Sequence, residues 1–230
     1  MKVSDIKWLL KASTKNDENW TGNLFILPDK AICTDGKRMH MVKQEFETKK
    51  NISIPGSMVR DAMKGKKAND WINISFDGDE VILGSIRMEM PPQVSAPDFH
   101  RVIPSESGNF VEDYKLTEFK SWEHIYNGMP AIKPIKNDYA YTCLSLNDNA
   151  TVNYTDKKRN DISFTLNLDD EIEFPEIGLN PVFLLDMLSV FETLNGFLVK
   201  PNIYYRGALS PIEMQSDRYQ AVLMPVRIKK

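Results

Sequence analysis

Two short stretches of this chain repeat one another. Thr34 to Arg38 reads "TDGKR", and Thr155 to Arg159, 121 residues later, reads "TDKKR". Pro55, opening "PGSMVRDAMKGKK", and Pro181, in "NPVFLLDMLSVF", stand 126 apart. Weak identity at a near-constant offset is the signature of a duplicated unit, here of ~115 residues. The 230 residues hold two such units, each able to bury its own core. "SESGN", from Ser105 to Asn109, is the expected join, giving domains 1–106 and 107–230.

Within each copy the same local order recurs. "NLFILPDKAICTDGKRMHMV", "WINISFDGDEVILGSIRMEM" and "ISFTLNLDDEIEF" are rich in β-branched and aromatic residues punctuated by Gly, Asp and Asn, the pattern of strands joined by tight turns. Helices interrupt them. "SDIKWLLKAS" sets Ile6, Leu9 and Leu10 on one face, with Ser4 as its N-cap. The segment from Pro55 stripes Met58, Val59, Ala62 and Met63. In the second copy "LTEFKSWEHIY", with Leu116, Phe119 and Tyr126, occupies the first-helix place, and Asn180 caps a second helix that starts at Pro181. The fold class is therefore α+β: two repeated domains, each with two helices packed on antiparallel sheet.

The residues offer no catalytic constellation. His40, His100 and His124 lie in unrelated contexts without metal-ligand spacing. "MKGKK" and "TDGKR" lack the glycine spacing of a phosphate loop. Asp169, Asp170 and Glu171 read as a solvated turn, and Cys33 and Cys143 as buried single thiols. No enzyme, cofactor or metal is expected. No run of 18 apolar residues occurs, and "MKVSDIKWLLKAS" breaks its apolar residues with charge, so a membrane span and a signal peptide are not expected and the cytoplasm is.

The formal net charge of −3 argues against a general nucleic-acid coat, so a basic surface must be local. Residues 1–106 carry 16 basic and 15 acidic residues, and residues 107–230 carry 13 and 17, which favours the first half. There Lys7, Lys11 and Lys15 recur every four residues, and Arg60, Lys64 and Lys67 follow a similar spacing. One such row on a surface helix is ordinary; two in one domain point to phosphates bound without sequence preference. The corresponding helices of the second copy carry Lys120 beside Glu118, Glu123, Asp186 and Glu192. The last run, "AVLMPVRI", has seven apolar residues of eight, so it closes a core, forms a binding surface, or does both on its two faces.

Four segments, in order, resemble the bacterial DNA polymerase III β sliding clamp. "TDGKRMH" (Thr34 to His40) resembles "TDGHRLA" of that family's middle domain, and "PDFHRVIP" (Pro97 to Pro104) its "FPxYRRVIP". "LNPVFLLDML" is similar to "FNPxYLLDxL", and "AVLMPVRI" to the C-terminal "YVIMPMRL". The resemblance covers nearly the whole chain, as the family's middle and C-terminal domains without its first, as in a phage-type or diverged clamp.

The resemblance implies a processivity factor that encircles duplex DNA and binds replicative polymerase and other clients by short linear peptides. Six domains make a ring, so two per chain imply a homotrimer, and a clamp-loader ATPase is the implied partner that opens it. The implied client groove has Trp20 (through "WTGNLF"), Thr34, Gly36, Lys37, Arg38 and Met39 on one wall. Pro97, Arg101 and Val102 form another, and Val222, Leu223, Met224, Pro225, Val226, Arg227 and Ile228 line the end, with Ser210 of "LSPIE" beside them. Lys7, Lys11, Lys15, Arg60, Lys64 and Lys67 are the implied DNA-facing cations. The alternative is an adaptor or decoy that keeps the groove and binds client peptides without encircling DNA.

Overall fold

The computed structural model describes residues 1–105, 115–118, 141–146, 150–155, 161–166, 177–191, 202–205 and 209–226. The chain divides into two compact units: Met1–Phe99 with Asp217–Ala221, and His100–Ser216 with Val222–Lys230.

The first unit begins with α1 (Val3–Lys11), followed by β1 (Asn23–Ile26), β2 (Lys30–Thr34), β3 (Arg38–Lys43) and β4 (Ile52–Pro55). Then come α2 (Gly56–Ala62) and the meander β5 (Ile74–Asp77), β6 (Glu80–Leu83) and β7 (Ile86–Glu89). The sheet order is β4-β1-β2-β3, antiparallel throughout, and the meander forms its own sheet in the order β5-β6-β7. Beside β3 lies the start of β15 (Tyr219–Leu223), where the Lys43 N–H donates to the Arg218 carbonyl at 2.8 Å.

Helix α1 buries Val3, Ile6, Leu9 and Leu10, as its periodicity predicts. Each such side chain removed from water stabilises the unit by about 1.5–3 kcal/mol. Its start differs from the expected cap. Lys2, not Ser4, is the N-cap, and no side chain caps the helix. Main-chain carbonyls do that work: Val3 N–H donates to Asp70 O at 2.9 Å and Ser4 N–H to Ala68 O at 3.0 Å. Orphan helix N–H groups need an acceptor, and the main chain of the loop after α2 serves as well as a hydroxyl. Pro55 sits at the N-cap of α2, one residue before the first turn. Val59, Ala62 and Met63 are buried.

The second unit has β8 (Lys115–Glu118), β9 (Tyr141–Leu146), β10 (Ala150–Thr155), β11 (Asp161–Leu166), β12 (Ile177–Leu179), α3 (Pro181–Leu188), β13 (Asn202–Tyr205) and β14 (Ile212–Ser216). One sheet runs β12-β9-β10-β11, and β14, β13 and β8 are consecutive neighbours in another. Asn180 caps α3 as expected, its Oδ1 accepting from the N–H of Val182 (3.0 Å) and Phe183 (3.3 Å) with Pro181 in the first turn. Leu184, Met187, Leu188 and Phe191 are buried behind it. The expected first helix of this copy is corrected at its start: Leu116 lies in β8, opposite Tyr204 of β13. Residues 119–126 of that expected helix lie outside the described residues.

The duplication is legible in the topology. The order β4-β1-β2-β3 is matched by β12-β9-β10-β11. Each fourth strand leads into a helix, and each helix is followed by a three-strand run, β5-β6-β7 or β13-β14-β15. This is the α+β repeat with antiparallel sheets that the sequence predicts.

Candidate functional site

The "TDGKR" turn locks itself. Thr34 Oγ1 donates to the Arg38 carbonyl at 2.8 Å and accepts from the Gly36 N–H at 3.1 Å. Asp35 Oδ1 accepts from the N–H groups of Lys37 (2.9 Å) and Arg38 (3.0 Å), an Asx turn that holds three loop residues between β2 and β3. Gly36 has φ +81°, which a side chain disfavours, and a Cβ there would lie 3.4 Å from the Trp20 ring. Trp20 therefore packs over the turn. Gly36 and Lys37 are exposed, whereas Thr34 and Met39 are buried.

Arg38 does more than flank this turn. Its Nε pairs with Asp35 Oδ2 at 3.1 Å, and its Nη2 donates to the Lys11 carbonyl at the end of α1. With 9% of its side chain exposed, it ties the turn to the helix C-terminus. Pro97 is half-buried two residues before Phe99, which meets Phe25 edge-on at 5.5 Å.

The remaining predicted wall residues belong to the second unit. Arg101 and Val102 are exposed, while Ile103 beside them is fully buried. Ser105 fixes the following turn: its N–H and its hydroxyl each donate to the buried carboxylate of Glu213 at 2.8 Å. Val222 and Leu223 are buried, and Met224, Pro225 and Val226 are half-buried. Val226 N–H donates to Gly178 O at 2.8 Å, so the run after β15 returns to the edge strand of this unit. Ser210 is half-buried; Arg227 and Ile228 lie outside the described residues. The C-terminal run thus has buried residues first and partly open ones after.

The predicted cations are not two helical rows. Helix α1 ends at Lys11, so Lys7 and Lys11 are exposed on the helix and Lys15 is exposed in the loop after it. Arg60 is on α2 but half-buried, donating to Ser13 Oγ at 2.9 Å and to Thr14 O at 3.4 Å. It joins α2 to the loop that follows α1. Lys64 and Lys67 lie beyond α2, both exposed. Lys64 pairs with Asp61 at 2.9 Å, but both side chains are more than 60% exposed, so that pair adds little stability.

Sequence reasoning missed the polar cluster that fastens Arg218 and Tyr219 onto α1. Asp5 is 2% exposed and accepts from Arg218 Nη2 at 2.6 Å and from the Tyr219 hydroxyl at 2.9 Å. Tyr219 stands edge-on to Trp8 at 5.7 Å, and Trp8 stacks on His40 at 4.3 Å with 9° between the planes. His40 Nδ1 lies 2.8 Å from the Trp8 carbonyl, so that nitrogen carries the proton. Its Nε2 is buried without a partner among the described residues, and burial lowers the imidazole pKa to about 3. An aspartate three residues before a tryptophan, inside an apolar helix face, was the available signal.

No family model and no curated protein matches the chain, whereas solved structures do. A DNA polymerase sliding clamp from Bacillus subtilis aligns over 98% of this chain with TM-score 0.76 and 14% identity. The chain has the sliding-clamp fold. The DNA polymerase III β chain from Streptococcus pneumoniae aligns with TM-score 0.73 and 16% identity, over 98% of this chain and 62% of its own. The sliding clamp from Bartonella birtlesii, solved bound to griselimycin, aligns with TM-score 0.73 and 20% identity, over 99% of this chain and 65% of its own. The chain covers 62% of the Bacillus clamp, so this clamp fold spans a little under two thirds of the length of these structures. No described helix is long and apolar enough to cross a membrane.

Proposed function

We propose that this chain is a non-enzymatic DNA sliding clamp: a cytoplasmic processivity factor that encircles duplex DNA as a homotrimer, is opened by a loader ATPase, and tethers polymerase and other clients through a peptide groove. The observation that carries the proposal is a sliding-clamp fold over 98% of the chain. Two local features support it. Lys7, Lys11 and Lys15 are exposed along one stretch of the first unit, where weak, salt-dependent contacts with phosphates would be made. The Trp20-covered turn and the half-open Met224–Val226 run are built from apolar surface with basic flanks, as suits a few anchoring side chains of a linear peptide. Processivity then follows from topological linkage and effective concentration rather than from a tight DNA contact.

The deciding experiment loads the protein onto nicked circular duplex and measures retention before and after linearisation. A clamp stays on the circle at high salt and runs off the linear form. Equal loss from both forms would overturn encirclement, and retained client-peptide binding in that case would assign the chain as an adaptor.

A further inference from the structure

Trp71 is a tryptophan that the fold leaves in water. It is 63% exposed, whereas Trp8 is 4% exposed and Trp20 half-buried. Burying a side chain of this size is among the largest gains a core can make, so an open one marks a place to bind. The Thr34–Arg38 turn does not account for it. Arg38 brings that turn to the Lys11 end of α1, while Trp71 lies against the start of the same helix. The two ends are nine residues, about 13 Å of helix, apart.

The indole is held in place by the main chain. Trp71 pairs with Lys2 in an antiparallel bridge. On either side of it Ile72 N–H donates to Met1 O at 2.8 Å, and Val3 N–H donates to Asp70 O at 2.9 Å. Ile72 is buried, so extended alternation turns Trp71 and the exposed Asn73 outward together. The cross-strand neighbour supplies the first cation: Lys2 Nζ lies 5.9 Å from the indole centroid. A cation over one face leaves the opposite face for a flat group to stack on. The loop leading from α2 to Trp71 adds exposed Lys64 and Lys67 and half-buried Lys66. Two aspartates accompany these four lysines. Asp61 pairs with Lys64 at 2.9 Å, and Asp70 Oδ2 accepts from the Lys67 N–H at 2.7 Å. Together these groups leave a cationic excess of two.

We infer that Trp71 is a platform for single-stranded nucleic acid: one unpaired base stacks on the indole, and the lysines of the preceding loop take the phosphates beside it. An indole stacks on any base, and lysines bind phosphate without regard to sequence. Exposed Asn69 and Asn73 flank the indole with donors and acceptors for a base edge. A base within a duplex is already stacked on both faces, so the site selects unpaired strands. A lipid surface fits less well. Ile72 and Met63 are buried and the other side chains of this loop are polar or small, so the indole alone would enter the bilayer. This site goes beyond the sliding-clamp reading and does not depend on it.

Fluorescence anisotropy with a labelled oligothymidylate of about 12 nucleotides tests this on the full-length chain. The wild type is expected to bind at low salt and more weakly as salt rises. Trp71→Ala should weaken binding roughly tenfold and Trp71→Phe should restore most of it, both with the thermal midpoint retained. An abasic oligonucleotide of the same length keeps the phosphates and has nothing to stack. It should bind more weakly than oligothymidylate, and equally to the wild type and Trp71→Ala. Lys67→Glu should weaken both oligonucleotides alike. The abasic comparison stands even where a variant misfolds: equal affinity of the wild type for the two oligonucleotides overturns the platform. So does oligothymidylate binding that is absent from the wild type or unchanged in folded Trp71→Ala, and retention on circular duplex in those cases leaves the clamp reading intact. If Trp71→Ala keeps its oligothymidylate affinity but loses binding to phosphatidylserine vesicles, or loses mass in light scattering, the platform is overturned. The indole then belongs to a lipid surface or to a second copy.

Discussion

Lowering the pH should unfasten the first unit at His40. The ring is fully buried, with Nδ1–H given to the Trp8 carbonyl and Nε2 facing no acceptor or donor among the described residues. Protonation would place a cation there with nothing to solvate it, and burial accordingly depresses the pKa from 6.5 to about 3. The folded value lies below the unfolded one, so between these pH values the unfolded chain binds the extra proton and stability falls as pH falls. From pH 7 to pH 5 the coupling amounts to about 2 kcal/mol, against almost nothing above pH 7. For a chain of this size that is a drop in thermal midpoint of roughly 4–8 °C. The control is His40→Phe, which keeps a ring against Trp8 and removes the titration. Carboxylates contribute equally to both proteins, so the difference between the two stability–pH curves isolates the imidazole. The variant begins less stable, since the Trp8 carbonyl loses its donor, but its curve is flatter by about 2 kcal/mol over this range. Parallel curves from pH 7 to pH 5 would refute the buried-neutral account of His40.

Two further outcomes are expected. Asp5→Ala strands Arg218 and the Tyr219 hydroxyl at a site where Asp5 is 2% exposed, and should cost about 2–4 kcal/mol in urea unfolding, with Arg218→Met in the same background recovering part of it. A cost below ~0.5 kcal/mol would mean that the pair contributes no net stability. Met224→Asp with Val226→Asp, both half-buried after β15, should abolish client-peptide binding in fluorescence anisotropy while the melting curve stays within a few degrees; undiminished peptide affinity would remove this run from the groove.

What the sequence determined by itself was repetitive and local. Duplication at offsets of 121 and 126 residues, Asn180 before Pro181, and Asp35-Gly36 between two strand patterns each express short-range chemistry: a helix cap, an Asx turn, a positive φ. These need only neighbours in the chain, so they could be read directly. The cation rows could not, because four-residue spacing assumes a helix, and α1 stops at Lys11 where Arg38 takes its last carbonyl. Arg60 looked like a surface cation until its guanidinium was seen to bind Ser13 and Thr14. Lys2 replaced Ser4 as cap because carbonyls some 65 residues away supplied the acceptors. The set of buried Asp5 and His40 with half-buried Arg218 and Tyr219 joins positions up to 214 residues apart, and nothing in local propensity encodes such a meeting. Tertiary structure decided which polar residues are fasteners and which remain available to a partner, because a side chain's chemistry is set by what packs around it.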